Sequence, residues 1–260
     1  MDYDRKIKIA KDREYPVRKS NEIIQRAKYD LSTVELKAFA FILSKILPSD
    51  TELKEIEFSV QDFCRACGID DESGRNYSRI KDTLKGLRDK SFWLMNEKGV
   101  ESTVGWLSKA RINKGSGKIK VKLDEDLEQY LIGVFNNFTQ YELISILPMK
   151  SSYSIRIYEL LKSYAFTGKH EFGLDDLKSK LTASHYVNFK DFRKKVLEVA
   201  TEEINRYTDI EISWTPIQTG RKVSSVYFEI KQRKTMERYK AHTRGARQLD
   251  GQMTLLDYAD

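Results

Sequence analysis

Between Asn21 and Ile46 apolar side chains recur at Ile23, Ile24 and Ala27, then at Leu31, Leu36, Phe39, Ala40, Leu43 and Ile46 or Leu47, the spacing of helix with a buried face. Ser32 followed three residues later by Glu35 forms a capping box, so a helix restarts there, and Pro48 with Ser49-Asp50 ends it. Ile56 to Val60 alternates as a short strand does, and Gln61 to Gly68 fits a short helix closed by Gly68. From Asn76 to Lys90, Tyr77, Ile80, Leu84 and Leu87 fall three, four and three apart, which predicts a helix. Phe92 to Met95, Thr103 to Ile112 and Lys118 to Leu123 read as strands, the last two joined by the turn Asn113 to Gly117.

The same order then returns. Ser151, Ser152 and Tyr153 open a helix with Ile155, Tyr158, Leu160 and Leu161 inward, ending near Phe166-Thr167-Gly168. His170 to Gly173 is a short strand and Leu174 to Leu181 a short helix. Phe189 to Tyr207 is a long helix with Phe189, Phe192, Val196, Val199, Ala200 and Ile204 inward, and Ile210 to Trp214 with Val223 to Ile230 form a hairpin through Gln218-Thr219-Gly220. An architectural repeat of this length implies a duplicated unit. Helix, strand, helix, helix, hairpin is the order of a winged helix, whose second paired helix enters the DNA major groove while the hairpin touches the backbone. The expected fold is α+β, two tandem winged-helix domains related by pseudo-duplication. They cover residues 20–135 and 136–232, with the boundary near Gly133 to Thr139, where Asn136-Asn137 interrupts the apolar pattern. A basic N-terminal arm (1–19) and a flexible tail (233–260), basic then acidic, flank them.

Charge agrees with an anionic partner. The chain carries 46 Lys and Arg against 39 Asp and Glu, net +7. Residues 1–19 hold seven basic and four acidic groups, 231–247 seven and one, and 248–260 none and three, leaving 32 basic and 31 acidic groups in 20–230. The middle can therefore bind nucleic acid only by segregating its cations onto helical faces. With 40% apolar and 33% charged residues the composition is too polar for a membrane protein, and 3 Trp, 14 Tyr and 12 Phe are too many for a disordered one. The longest apolar run, Ala38 to Leu43, is far short of a bilayer span of about 20 residues. The charged N-terminus has no apolar signal region, and Cys64 and Cys67 are too few for a disulfide framework, so a reducing cytoplasm is expected.

The segments SNEIIQRAKYDLSTVELKAFAFILSKI (Ser20 to Ile46), YSIRIYELLKSY (Tyr153 to Tyr164), FKDFRKKVLEVATEEINRYTDIEISW (Phe189 to Trp214) and GRKVSSVYFEI (Gly220 to Ile230) resemble the iteron-binding plasmid replication initiators, over about residues 17–232. The resemblance implies a protein without catalytic chemistry that binds repeated duplex DNA at an origin as a monomer and represses its own promoter as a dimer. It implies dimerisation through the first domain and recruitment of host helicase-loading proteins. A dedicated transcriptional repressor built on the same domains is the alternative. An origin-nicking enzyme would need a metal site that the sequence does not show.

At about 100° per residue from Phe189, Phe192, Val196 and Ala200 stay within about 60° of the start, while Lys190 and Lys194 point about 100° and 140° away and Arg193 flanks at about 40°. Arg suits bidentate contact with guanine and Lys acts as a point charge. Pairing with Asp191, Glu198 or Glu202 on a solvated face is the ordinary alternative. The helix start at Ser151, Ser152 and Tyr153 offers hydroxyls and amides to a phosphate. Arg221 and Lys222 occupy the wing tip. Arg156 either touches phosphate or braces the domain through an acidic partner. In the first unit Arg75, Ser78, Arg79 and Lys85 lie off the Tyr77, Ile80 and Leu84 face, with Lys114 and Lys118 flanking the first wing.

Other motifs carry less. Cys64 and Cys67 form a CxxC with no second pair, and His170, His185 and His242 are scattered, so no metal site and no cofactor is expected and the thiols read as core. Gly115 to Lys118 (GSGK) lacks the upstream Gly of a phosphate-binding loop, and Ile119 stands where a Ser or Thr would hold magnesium. Gln252, Leu255 and Leu256 resemble the short motif by which replication proteins dock into the bacterial sliding clamp; a frayed amphipathic terminus is the alternative.

Overall fold

Both units expected from the pattern are present in the computed structural model, which describes residues 13–67, 74–95, 99–134 and 136–257. The first half runs β1 (Pro16–Ser20), α1 (Asn21–Arg26), α2 (Thr33–Leu43), β2 (Ile56–Ser59), α3 (Val60–Cys67), α4 (Gly74–Asp89), β3 (Ser91–Met95), β4 (Glu101–Gly105), β5 (Leu107–Asn113), β6 (Lys118–Leu123), α5 (Glu128–Leu131) and β7 (Phe138–Glu142). The second runs α6 (Ser152–Ser163), β8 (Lys169–Gly173), α7 (Leu174–Lys180), α8 (189–207), β9 (Ile210–Thr219), β10 (Lys222–Gln232) and α9 (Thr235–Asp257). Each unit closes on an antiparallel three-stranded sheet, β2-β6-β5 and β8-β10-β9, in which the strand before the paired helices joins the hairpin after them.

Local signals hold where the chemistry is local. The Ser32 hydroxyl accepts from the Glu35 amide while the Glu35 carboxylate accepts from the Ser32 amide, so the helix restarts at Thr33. Ile80, Leu84 and Leu87 are buried on α4, with Tyr77 half-buried at its edge. Gly68 lies outside the described residues, as does the side chain of Cys67; Cys64 is buried in the core.

The strand expected over Thr103 to Ile112 is two strands. Trp106 is buried against Tyr29, Phe39 and Phe92 at ring separations of 4.4–4.7 Å, and the chain changes sheet there: β4 pairs with β3, β5 with β6. Gly105 stands beside it, where an added Cβ would lie 2.6 Å from the Asp124 carboxylate and push that side chain aside.

The arm and tail expected at the two ends join the fold over residues 16–20 and 235–257. From Arg13 onward the N-terminus is part of the fold: β1 pairs with β7, and Val17 and Lys19 on its inner face are buried with Tyr141 and Thr139 opposite. That pairing ties Phe138–Glu142, expected to open the second domain, to the first. The tail expected over 233–260 is helical through Asp257, and Ala241 and Leu249 bury on the molecule. Its buried positions Ala241, Gly245 and Leu249 fall four apart, on one face of the helix.

Where α9 docks, the Glu142 carboxylate lies 3.0 Å from His242 Nδ1 and 3.9 Å from Arg238. The hydrogen bond with His242 holds Glu142 below the usual carboxylate range against partial burial, with the charges of His242 and Arg238 helping and Asp209 opposing. A carboxyl depressed in the folded state contributes stability that is present above its unfolded value of about 4.3 and is lost as pH falls through the lower folded value. Acidification from about pH 5 to 3 is therefore expected to lower the urea midpoint less in Glu142→Gln than in the unaltered protein; equal losses would contradict it.

Candidate nucleic-acid interface

The second unit places its paired helices with buried polar contacts. The Lys178 ammonium, buried at the end of α7, donates to the Tyr186 carbonyl at 2.7 Å and the Val187 carbonyl at 3.5 Å, which holds the turn between α7 and α8. Asn188 then caps α8, its side chain accepting from the Asp191 amide at 2.8 Å and donating to the Asp191 carboxylate at 2.8 Å. Asp191 is thereby occupied at the cap, and Lys190 beside it is left exposed.

α8 is not a regular helix. Phe189–Phe192 and Glu198–Tyr207 are α-helical, but Arg193–Leu197 is a π turn in which the Glu198 amide donates to the Arg193 carbonyl five residues back. The buried positions Phe192, Val196, Ala200 and Ile204 are each four apart, a spacing that overshoots a regular turn by about 40° each time. One wide turn absorbs that drift and keeps all four on the core. It also buries Leu197 and leaves Val199 37% exposed, so Val199, expected inward, is not.

The wide turn stacks residues five apart, so Arg193 Nε lies 3.3 Å from Glu198, both side chains about half exposed. Exposed pairs of this kind contribute about 0–1 kcal/mol, so Arg193 exchanges Glu198 for another acceptor at little cost. Lys190 and Lys194 are exposed and form no ion pair among the described residues. Lys195, not singled out in the sequence, is exposed beside the Tyr186 ring at 5.9 Å. β9 and β10 extend to a turn at Gly220, whose φ of 65° is one that glycine adopts without strain, and present Arg221 and Lys222 exposed.

The start of α6 is more closed than expected. The Lys150 and Ser151 amides donate to the Glu203 carboxylate at 2.7 and 3.3 Å, and the Ser151 hydroxyl caps the Ser154 amide. Ser152 and Tyr153 are half-buried, Tyr153 with its ring 6.2 Å from Tyr186.

Arg156 leaves the interface. It is 4% exposed, its guanidinium lies over the Tyr29 ring at 4.0 Å and bonds the Tyr29 hydroxyl, and it donates to Glu159 at 3.3 Å and to the Ile24 and Ala27 carbonyls at 3.4 and 3.3 Å. The bracing alternative is the one realised. Its partner Glu159 also receives Lys19 at 2.5 Å and the Tyr141 hydroxyl at 2.6 Å. Burial pushes the Glu159 carboxyl up, but the charges of Lys19 and Arg156 with the hydrogen bonds from Lys19 and Tyr141 outweigh it and hold Glu159 ionised. Lys19 is pulled below its usual value by burial, with Glu159 opposing.

In the first unit Ser78 and Arg79 are exposed on α4; Arg75 is on that helix, with its side chain outside the described residues. Lys85 is exposed and paired with Asp89. Lys114, at the wing, and Lys81 approach the Tyr77 ring at 5.9 and 5.3 Å, so wing and helix converge there. Lys118 is committed to Glu57 at 2.6 Å, which Lys120 shares at 3.1 Å. The alternation in Lys118–Leu123 turns Lys118, Lys120 and Lys122 to one exposed face beside Lys109 and Arg111, a signal that the sequence carried but only the paired strands assembled.

Among the described residues no His, Cys, Asp and Glu side chains gather into a group that could hold a metal ion, and no helix is long and apolar enough to cross a membrane. The side chains of Gln252, Leu255 and Leu256 lie outside the described residues; the backbone there is helical.

Two family models match this arrangement, "Initiator Replication protein, WH1" over residues 16–162 and "Initiator Rep protein, WH2" over residues 173–230. The chain belongs to the initiator replication protein family. The first family domain runs through nearly all of α6, so the division of the family falls after residue 162, later in the chain than the apolar pattern suggests. The "PI protein" of Escherichia coli is 31% identical over 132 residues, 44% of this chain and 43% of that protein. An uncharacterized 27.6 kDa protein of Escherichia coli is 25% identical over 125 residues, 46% of this chain and 52% of that one. The chain thus spans about half the length of the curated relatives it matches. A crystal structure of the Pi initiator protein in complex with iteron DNA shares the fold, with TM-score 0.68 and 21% identity over 85% of this chain and 99% of that one.

Proposed function

We propose that this family member initiates replication by binding repeated duplex DNA at an origin, with α8 in the major groove and the β9–β10 hairpin on the neighbouring backbone. The observation that carries the reading is the exposed strip of Lys190, Arg193 and Lys194 on a helix whose opposite side is anchored in the core. In the first unit, α4 and the β5–β6 wing form the counterpart, with Ser78, Arg79, Lys81 and Lys114. The Pi initiator, which shares this fold, was crystallised with iteron DNA, and that supports the choice of ligand. The family resemblance extends the reading to a dimer that represses its own promoter in exchange with a monomer at the repeats. It extends it also to host helicase-loading proteins as partners, and the Gln252, Leu255 and Leu256 motif adds the sliding clamp as a contact of the tail.

The test is selection of duplexes by the intact protein from a random-sequence library, followed by binding measured against salt concentration. One sequence is expected to enrich, with log K falling against log salt at about −0.9 per phosphate neutralised. A plasmid carrying the gene and its flanking repeats is expected to replicate in a host lacking another origin. No enrichment would overturn DNA recognition. Enrichment without replication would make the protein a repressor.

A further inference from the structure

Residues matched by the family models end at 230, before α9 begins, yet α9 is fastened to both units. At its start the Arg233 guanidinium donates to the Thr208 and Asn205 carbonyls at 3.0 and 2.5 Å, at the end of α8, and further along Gln248 bonds the Tyr207 hydroxyl. Those contacts belong to the second unit. His242, besides its contact with Glu142, has Nε2 3.1 Å from the Ser145 hydroxyl. Asp250 accepts from Arg13 at 2.8 Å, and Arg13 also donates to the Arg65 carbonyl on α3 at 3.1 Å. Those belong to the first. Between them Gly245 lies against the 144–148 segment, where an added Cβ would meet Pro148 Cγ at 3.0 Å and the Ile144 carbonyl at 3.8 Å.

We propose that α9 is a strut that fixes the separation and angle of the two DNA-reading units, with His242, Gly245 and Asp250 as positioning residues for site spacing. The inference rests on the DNA-binding reading. α6 already joins the units, through Lys19 with Glu159 and Tyr29 with Arg156 on the first and through Asp209 with Tyr158 and Lys162 on the second. One joint leaves a hinge; a second attachment on another element removes the rotation. The consequence is selectivity for length. Each base pair inserted between two contacted segments moves one of them by about 3.4 Å and turns it by about 35°. Units held rigidly cannot follow that movement, whereas units on a hinge can, at the cost of a lower effective concentration of the second unit.

Gly245→Leu wedges α9 away from Pro148, and His242→Ala with Asp250→Ala loosens it without adding bulk. Binding is measured to the selected duplex and to versions with one or two base pairs inserted between the segments protected by the two units. The unaltered protein is expected to lose about 100-fold in affinity on insertion. Either variant is expected to lose about 10-fold on the original duplex, with the insertion penalty reduced to about threefold. Variants that keep the full penalty, with unchanged helical circular dichroism, would overturn the strut. A second readout is independent of DNA: spin labels at Ser102→Cys and Ser184→Cys, both exposed, in a Cys67→Ser background, should give one narrow distance distribution that broadens in the variants. An unchanged distribution overturns the strut whatever the DNA results. A broadened one with no duplex enriched upholds the strut and overturns only the DNA reading.

Discussion

Replacing Glu159 by Gln is expected to lower stability by about 3–5 kcal/mol, the usual consequence of removing one partner of a buried ion pair. Glu159 is fully buried and, among the described residues, is the only carboxylate paired with Lys19, at 2.5 Å, and with Arg156, at 3.3 Å. With a neutral amide in its place, two cations stay in the core with no counter-charge. The melting temperature should fall by roughly 10 °C, given about 2–4 °C per kcal/mol for a chain of this size. The discriminating measurement is a double-mutant cycle by urea unfolding. Lys19→Met added to Glu159→Gln should cost less than the two single losses summed, because Lys19 is itself a liability once Glu159 is gone. A single loss under about 1 kcal/mol would show that the cluster is not held by charge.

The second large effect falls on DNA binding. Arg193→Ala is expected to weaken binding to the selected duplex by about 1–3 kcal/mol and to relax selectivity at one base position, the mark of a lost bidentate contact. Lys190→Ala and Lys194→Ala should instead weaken all duplexes alike and make the salt slope shallower by about 0.9 for each phosphate contact removed. The three side chains thus separate by the form of their loss as well as its size. Their removal should leave the urea midpoint nearly unchanged, since all three are exposed and Arg193 gives up only the pair with Glu198. Unaltered affinity in the triple variant would take α8 out of the interface.

Much of the candidate interface was legible in the chain because its signals are short in range. The inward face of α4 and the strand–turn–strand over 107–123 come from spacing, as does the exposure of Lys190 and Lys194. The π turn escaped: four buried positions at intervals of four are compatible with a drifting regular helix, and only the core behind them forces the wide turn. Val199 and Leu197 exchange places for that reason. Arg156 had two readings because a basic side chain looks the same in sequence whether it meets phosphate or a carboxylate. The long apolar flanks of α6 on every side, Ile155, Ile157, Leu160 and Leu161, were the clue that it lies between layers and not at a surface.

The chain by itself determined the elements, their repeated order and the cationic side chains available to a partner, because helix, strand and turn preferences act over a few residues. Only the tertiary structure decided which elements share a core and which cations remain free. β1 meets β7 across more than a hundred residues, Lys19 finds Glu159 at a separation of 140, and Arg13 finds Asp250 at 237. The physical reason is that such partners are selected by burial and charge balance in the assembled molecule, and no local propensity distinguishes a lysine that will be sealed inside from one that will stay at the surface.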